Sequence, residues 1–286
     1  MTAIRLVHLS DIHFGAYVDL GQIAALERGL PELAPAAIVI AGDVSQRARH
    51  GEFQRALAFV KLCRTIAPTL VIPGNHDVRW WASPFGLRGQ GPKYRHYRRY
   101  FGEVLGPVLT VPGAVIVGLV SAHGLAPGSV TWKPRDLTVK GHLPEPELAR
   151  ARAAFETAAP EDWRVVALHH NVLRGQISNR WGLARPIQAQ EGLSRSGADL
   201  VLCGHDHQEA VGQLPGGVVV AASSTHTSMT RGRRPAAFNL IDLDGGSVVV
   251  RHLRWIDGGF QSGESFQFER RGRTTTLHAR ASSETT

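Results

Sequence analysis

Eight side chains able to bind a metal ion or carry a proton stand directly after short apolar runs. Asp11 and His13 follow residues 3–9, Asp43 follows 36–41, and Asn75 and His76 follow 70–72. His169 follows 165–168, and His205 and His207 follow 199–203. Such runs read as buried strands, and residues just past strand ends meet at one sheet edge, where α/β proteins gather their chemistry. Imidazoles, carboxylates and one amide oxygen, with no thiolate, suit ions such as Mn, Fe or Zn. The donors are too many for one tetrahedral ion and right for two, and two ions ~3.5–4 Å apart are a standard device for displacement at phosphorus. Asp11 and His13 lie two apart, so an extended backbone turns both to one side, and the same alternation points Asp206 away from its neighbours His205 and His207.

These residues must be positioned by the elements between them. Apolar positions Leu20, Ile23, Leu26 and Leu30 fall at helical spacing, as do Phe53, Leu57, Val60 and Leu62. The first half therefore reads strand, helix, strand, helix, strand, and right-handed crossovers bring the three polar loops to the same edge. Residues 79–106 break the rhythm. Arg95, Arg98 and Arg99, interleaved with Tyr94, Tyr97 and Tyr100, read as a substrate-side insertion, although a helix packed on its tyrosine face would carry the same letters. Residues 108–121 read as a hairpin turned at Pro112-Gly113, 124–140 as a long surface loop, and 143–157 and 185–195 as helices. Residues 210–255 read as an antiparallel meander belonging to the same domain. The domain is expected to span 1–257, followed by a polar, loose tail over 258–286.

At 286 residues and 43% hydrophobic composition, the chain can bury a full core. No apolar run approaches a membrane span, and the first one is too short for a secretory signal, so a cytoplasmic location is expected. Two cysteines, both among apolar neighbours, provide no disulfide framework. A net charge of +8 suits phosphate-bearing partners. The basic residues are spread along the chain, with denser patches at 88–99, 231–234 and 270–273. A solvated surface is the favoured reading of these patches over a nucleic-acid interface.

Taken in order, D-x-H at 11–13, G-D at 42–43, G-N-H-D at 74–77, the His at 169 and G-H-x-H at 204–207 resemble the motifs of the calcineurin-like metallophosphoesterase superfamily. The resemblance implies a four-layer α/β/β/α sandwich of two mixed β-sheets, with a dinuclear metal site at the carboxyl edge of the strands. It implies that Asp11, His13 and His207 hold one ion, Asn75, His169 and His205 the other, and that Asp43 bridges both, one oxygen to each. His76 would stay off the metals and serve catalysis with Asp77 orienting its ring, and His170 would sit just behind the ligands, near substrate. Gln46 stands where purple acid phosphatases carry a tyrosine ligand, which argues against an Fe(III)-tyrosinate centre.

Within the superfamily the chain looks most like the bacterial cyclic-nucleotide phosphodiesterases, although Asn171 and Val172 stand where a proline often follows the His pair in that group. The expected activity is hydrolysis of a small phosphate ester, foremost a cyclic nucleotide or related diester, through a metal-bridging hydroxide, with Arg95, Arg98 and Arg99 contacting substrate. The alternatives are a UDP-2,3-diacylglucosamine-type pyrophosphatase, which an apolar cleft near Trp80, Trp81 and Phe85 would favour, and a catalytically silent interaction scaffold.

Overall fold

The computed structural model describes residues 3–83, 91–124, 139–228, 230–271 and 274–277. Strands β1 (Ile4–Leu9), β2 (Ala37–Ile40) and β3 (Thr69–Val71) alternate with helices α1 (Leu20–Gly29) and α2 (His50–Ile66), and helix α3 (Gly91–Phe101) follows. Next come β4 (Val108–Val111), β5 (Ala114–Gly118), α4 (Glu145–Glu156), β6 (Trp163–His170), α5 (Pro186–Arg195) and β7 (Leu200–Gly204). The chain continues through β8 (Ala210–Gln213), β9 (Val219–Ala222), β10 (Ala237–Leu243), β11 (Ser247–Ile256), β12 (Gly259–Arg271) and β13 (Thr274–Leu277).

Among the described residues these strands form two mixed sheets, one ordered β13-β12-β11-β10-β1-β2-β3 and the other β4-β5-β6-β7-β9-β8. The strands at the centre of each sheet are apolar on both faces, and alternation sends successive residues to different layers. Val39, Ile116, Val165 and Leu202 fill the space between the sheets. Their neighbours Ile38 and Ile40 pack with Leu26, Phe53 and Tyr97 of α1, α2 and α3. On the far side Val117, Val166 and Val201 pack with Leu148 of α4 and Leu193 of α5. The result is an α/β/β/α sandwich. Strands β1, β2 and β3 run parallel, as do β5, β6, β7 and β9, so each sheet delivers a set of carboxyl ends.

Two expectations about the second half need correction. The meander is split: β8 and β9 pair with each other and β9 lies parallel to β7, whereas β10 crosses to the other sheet and pairs antiparallel with β1. The segment from residue 258 is not a loose tail throughout, because β12 runs antiparallel along β11 with one register irregularity. Phe266 and Phe268 alternate with Gln267 and Glu269, so a strand with one wet face reads as polar overall. Residues 278–286 lie outside the described residues, as does most of the loop expected at 124–140. No described helix is long and apolar enough to cross a membrane.

Candidate metal centre

The loop after β1 and the loop after β2 lie side by side, joined by backbone bonds from Asp11 N to Gly42 O (3.1 Å) and from His13 N to Asp43 O (2.9 Å). Asp11, His13, Asp43, His205 and His207 all have positive φ, between 51° and 74°. Non-glycine residues pay about 1 kcal/mol or more for this left-handed conformation, and it concentrates at functional sites. Asp11 and His13 thus converge through tight left-handed turns and not through the extended backbone expected of them.

Two close groupings result. In the first, Asp11 Oδ1 lies 3.3 Å from His207 Nε2 and 3.6 Å from His13 Nε2, and the two Nε2 atoms are 3.0 Å apart. In the second, Asn75 Oδ1 lies 3.0 Å from both His169 Nε2 and His205 Nδ1, which are 3.3 Å from each other. Asp43 Oδ2 stands between the groupings, 3.2 Å from His169 Nε2 and 3.7 Å from His13 Nε2.

The donor set fits metal ions. Asp11 Oδ2 takes the Ser10 hydroxyl (2.6 Å) and the His205 N–H (2.8 Å), whereas Oδ1, fully buried, accepts no hydrogen bond and faces imidazole nitrogens. His169 Nδ1 donates to the Ala41 carbonyl at 2.9 Å, which leaves the lone pair on Nε2 aimed into the second grouping. Lone pairs crowded at about 3 Å repel unless a proton or a cation lies among them. Asp43 Oδ1 accepts the backbone N–H of His76 at 2.7 Å, and Oδ2 is the oxygen that faces His13 and His169.

Electrostatics follow the same lines. Burial alone would raise the Asp43 carboxyl, but the charges of His169 and His76 outweigh it and hold the group well below the carboxylate range. Burial opposes charge on His169, yet Asp43 beside it lifts the imidazole to about 9. His205 is pushed down to about 3, by burial first and then by His169. A bound cation replaces the proton that such groups otherwise share.

His76 belongs to neither of these two groupings, although one of its ring nitrogens lies within 4.8 Å of ligand atoms of His13 and Asp43. Its Nδ1 donates to the carbonyl oxygen of Gln46 at 2.7 Å, and its ring lies edge-on to His13, centroids 4.8 Å apart. Asp77 does not orient that ring. Its carboxylate is fully buried and accepts from Ser45 N (2.8 Å), Ser45 Oγ (2.7 Å), Gly74 N (2.9 Å) and Val44 N (3.2 Å). Asp77 is the clamp between the Asp43 loop and the Asn75 loop. Those loops touch so closely that a Cβ on Gly74 would run into Asp43, and one on Gly204 would meet Ser10 and Asp11.

Further sequence expectations change. His170 is buried just behind the second grouping, with Nδ1 against Ser121 Oγ (2.9 Å) and Nε2 against the Val139 carbonyl (3.0 Å), and a ring nitrogen lies within 4.8 Å of ligand atoms of His169 and His205. Arg95, Arg98 and Arg99 lie on α3 around a separate depression of about 740 Å³. That helix buries Tyr94 and Tyr97, the packing that the tyrosine-face reading anticipates. The cleft over the metal groupings, about 220 Å³, has Asp43, Asn75, His76, His205 and His207 in its floor. Its walls include Lys140, Arg180, Trp181 and Arg231, which sequence reasoning did not single out as site residues. Two further histidines are core residues: His8 is buried against Asn239, and His226 lies among Phe238 and Phe260. Trp80 and Trp81 do not line the cleft among the described residues, and Phe85 lies outside them.

The family model described as calcineurin-like phosphoesterase matches residues 4–209. Among solved structures, the chain is similar to a purple acid phosphatase from seeds of yellow lupin (Lupinus luteus), with 13% identity and a TM-score of 0.64. That match covers 93% of this chain and 53% of the lupin chain, so the present chain spans about half its length. A dimetal phosphatase from Danio rerio aligns at 12% identity over 92% of this chain and 99% of that one, TM-score 0.63. GAP50, the anchor in the inner membrane complex of Plasmodium, aligns at 13% identity over 98% and 90%, TM-score 0.54. These identities speak to fold alone. No curated protein matches the chain.

Proposed function

The chain belongs to the calcineurin-like phosphoesterase family and is a metal-dependent phosphoesterase with a dinuclear centre, and from that premise we propose that it hydrolyses small phosphodiesters, cyclic nucleotides among them. The observation that carries the proposal is the pairing of two nitrogen and oxygen donor groupings around Asp43 Oδ2 with an imidazole, His76, held outside both in the same cleft. In this reading Asp11, His13 and His207 hold one ion, Asn75, His169 and His205 the other, and Asp43 Oδ2 lies between them.

Two ions held there supply Lewis acidity toward the phosphoryl oxygens and a strong oxygen nucleophile at neutral pH. The chain's own groups do the rest. His76, fixed through Nδ1 by Gln46, presents Nε2 to the phosphate and, when doubly protonated, holds a proton for the departing ester oxygen. Gln46 is itself fixed by a bond from its N–H to the Phe14 carbonyl (3.3 Å), and the next residue, Arg47, donates its N–H to Glu52 Oε2 at 2.7 Å. Cationic side chains along the wall favour an anionic substrate and speed its arrival. A lipid-linked nucleotide would need apolar walls, and the described walls do not supply them, so the UDP-2,3-diacylglucosamine reading gains no support. The full donor set weighs against a silent scaffold.

The test uses purified, manganese-loaded protein with cyclic AMP, bis-p-nitrophenyl phosphate and p-nitrophenyl phosphate. The proposal expects both diesters to be turned over faster than the monoester. Rapid cleavage of the monoester with little turnover of either diester would overturn it.

A further inference from the structure

Three basic side chains and one acid stand in the wall of the metal cleft. Lys140, Arg180 and Arg231 all line the same cavity as His76 and the metal groupings, and Trp181 stands beside Arg180. Asp206 is the acid in that wall, and it is spoken for. Its main-chain oxygen accepts from Arg231 Nε at 2.9 Å, its Oδ1 lies 3.6 Å from the same nitrogen, and its Oδ2 accepts from Ser178 Oγ at 3.0 Å. Arg231 is thereby fixed by the residue between His205 and His207. Arg180 is held differently. Its carbonyl accepts from Gly175 N at 2.8 Å, Asn179 N bonds back to Gly175 O at 2.8 Å, and Ser178 ties this tight loop to Asp206. The Arg180 guanidinium itself has no ion pair or side-chain hydrogen bond among the described residues.

A guanidinium with no acidic partner among the described residues, placed on the wall of a site that collects two multivalent cations, is repelled by what the site binds. It is stabilised when an anion arrives with the substrate. A planar fork suits phosphate oxygens better than a point charge does. We propose that Arg180 and Arg231 form a subsite for a second phosphate group of the substrate, separate from the one that is hydrolysed, with Trp181 offering an apolar face beside it. The preferred substrate is then a phosphodiester bearing an additional phosphate, not a simple monoanionic diester. This inference rests on the phosphodiesterase reading above and refines it.

The test compares thymidine 5'-(p-nitrophenyl phosphate) with the same compound phosphorylated at its 3'-oxygen. The leaving group and the scissile diester are identical. The wild type should favour the 3'-phosphorylated compound by about tenfold or more in kcat/KM, mainly through KM, as expected for charge-assisted hydrogen bonds. In Arg180→Gln, and more fully in Arg180→Gln/Arg231→Gln, the ratio should fall toward one while metal content holds. If Arg231→Gln disturbs metal binding, the single Arg180→Gln variant decides. Calorimetric binding of thymidine 3',5'-bisphosphate against thymidine 5'-phosphate to manganese-loaded protein reads the subsite without turnover. A tighter bisphosphate in the wild type, with the preference lost in the variant, supports the subsite even if neither ester is cleaved; in that case the phosphodiesterase reading alone fails. Hydrolysis of both esters at equal efficiency, or a preference that survives the double substitution, overturns the subsite and leaves the phosphodiesterase reading standing.

Discussion

The Nδ1 of His76 is bonded to the main-chain carbonyl of Gln46, and the carboxylate of its sequence neighbour Asp77 faces the other way, into the protein. A carbonyl can only accept, so Nδ1 must carry a hydrogen and Nε2 is the atom left for substrate. The two adjacent residues therefore have separable roles.

His76→Ala should lower kcat by roughly 10²- to 10⁴-fold, the usual worth of a positioned acid. The defect should be smaller for p-nitrophenolate, which departs with little protonation, than for an alkyl leaving group. Both metals should remain by elemental analysis. Loss of an ion from this variant would place His76 among the ligands.

Asp77→Ala should act on stability. It leaves the buried N–H groups of Val44, Ser45 and Gly74 without their acceptor, at about 1–3 kcal/mol for each buried donor so exposed. Thermal unfolding should shift down by many degrees, with metal affinity falling alongside. A variant with unchanged melting and a pure kcat defect would restore Asp77 to the role of orienting His76.

Much of the site was legible because strand-ending apolar runs mark where polar residues must converge. Asp11, His13, Asp43, Asn75, His76, His169, His205 and His207 all come from such ends. What could not be read was direction. Asp77 is one residue from His76 and points away, and Asp11 and His13 meet through left-handed backbone that their spacing does not announce. Arg180, Trp181 and Arg231 sit on loops without periodicity, so nothing in the sequence ties them to the cleft. The arginines of α3 were conspicuous by composition, yet the helix turns its tyrosines inward and leaves them around another depression. Strand β12 was hidden because its polar residues outnumber its three phenylalanines, Phe260, Phe266 and Phe268.

Gly74→Ala should abolish the dinuclear centre, since the added carbon would collide with the Asp43 carboxylate and backbone. The expected result is soluble but metal-poor protein with a lowered melting temperature. Full metal content in this variant would mean that the two loops can separate without cost.

His252 should make stability fall with acid. It is buried, donates through Nδ1 to Asn239 Oδ1 at 2.8 Å, and is pushed down to about 3 by burial first and then by Arg254 and Arg234. The unfolded chain takes up the proton near 6.5, so this contribution is complete above that pH and is lost as pH falls from 6.5 toward 3. The slope it adds is about 1.4 kcal/mol per pH unit. Urea unfolding of chelator-treated wild type and His252→Gln at pH 7, 6 and 5 should give a shallower pH dependence in the variant. Parallel curves would assign the acid sensitivity to other groups.

Two ions should share the site on either side of Asp43. Crystals grown with Mn²⁺ and measured at the manganese edge should show two anomalous peaks, one among Asp11, His13 and His207 and the other among Asn75, His169 and His205, with Asp43 Oδ2 between them. A single peak, or manganese bound outside these residues, would contradict this arrangement.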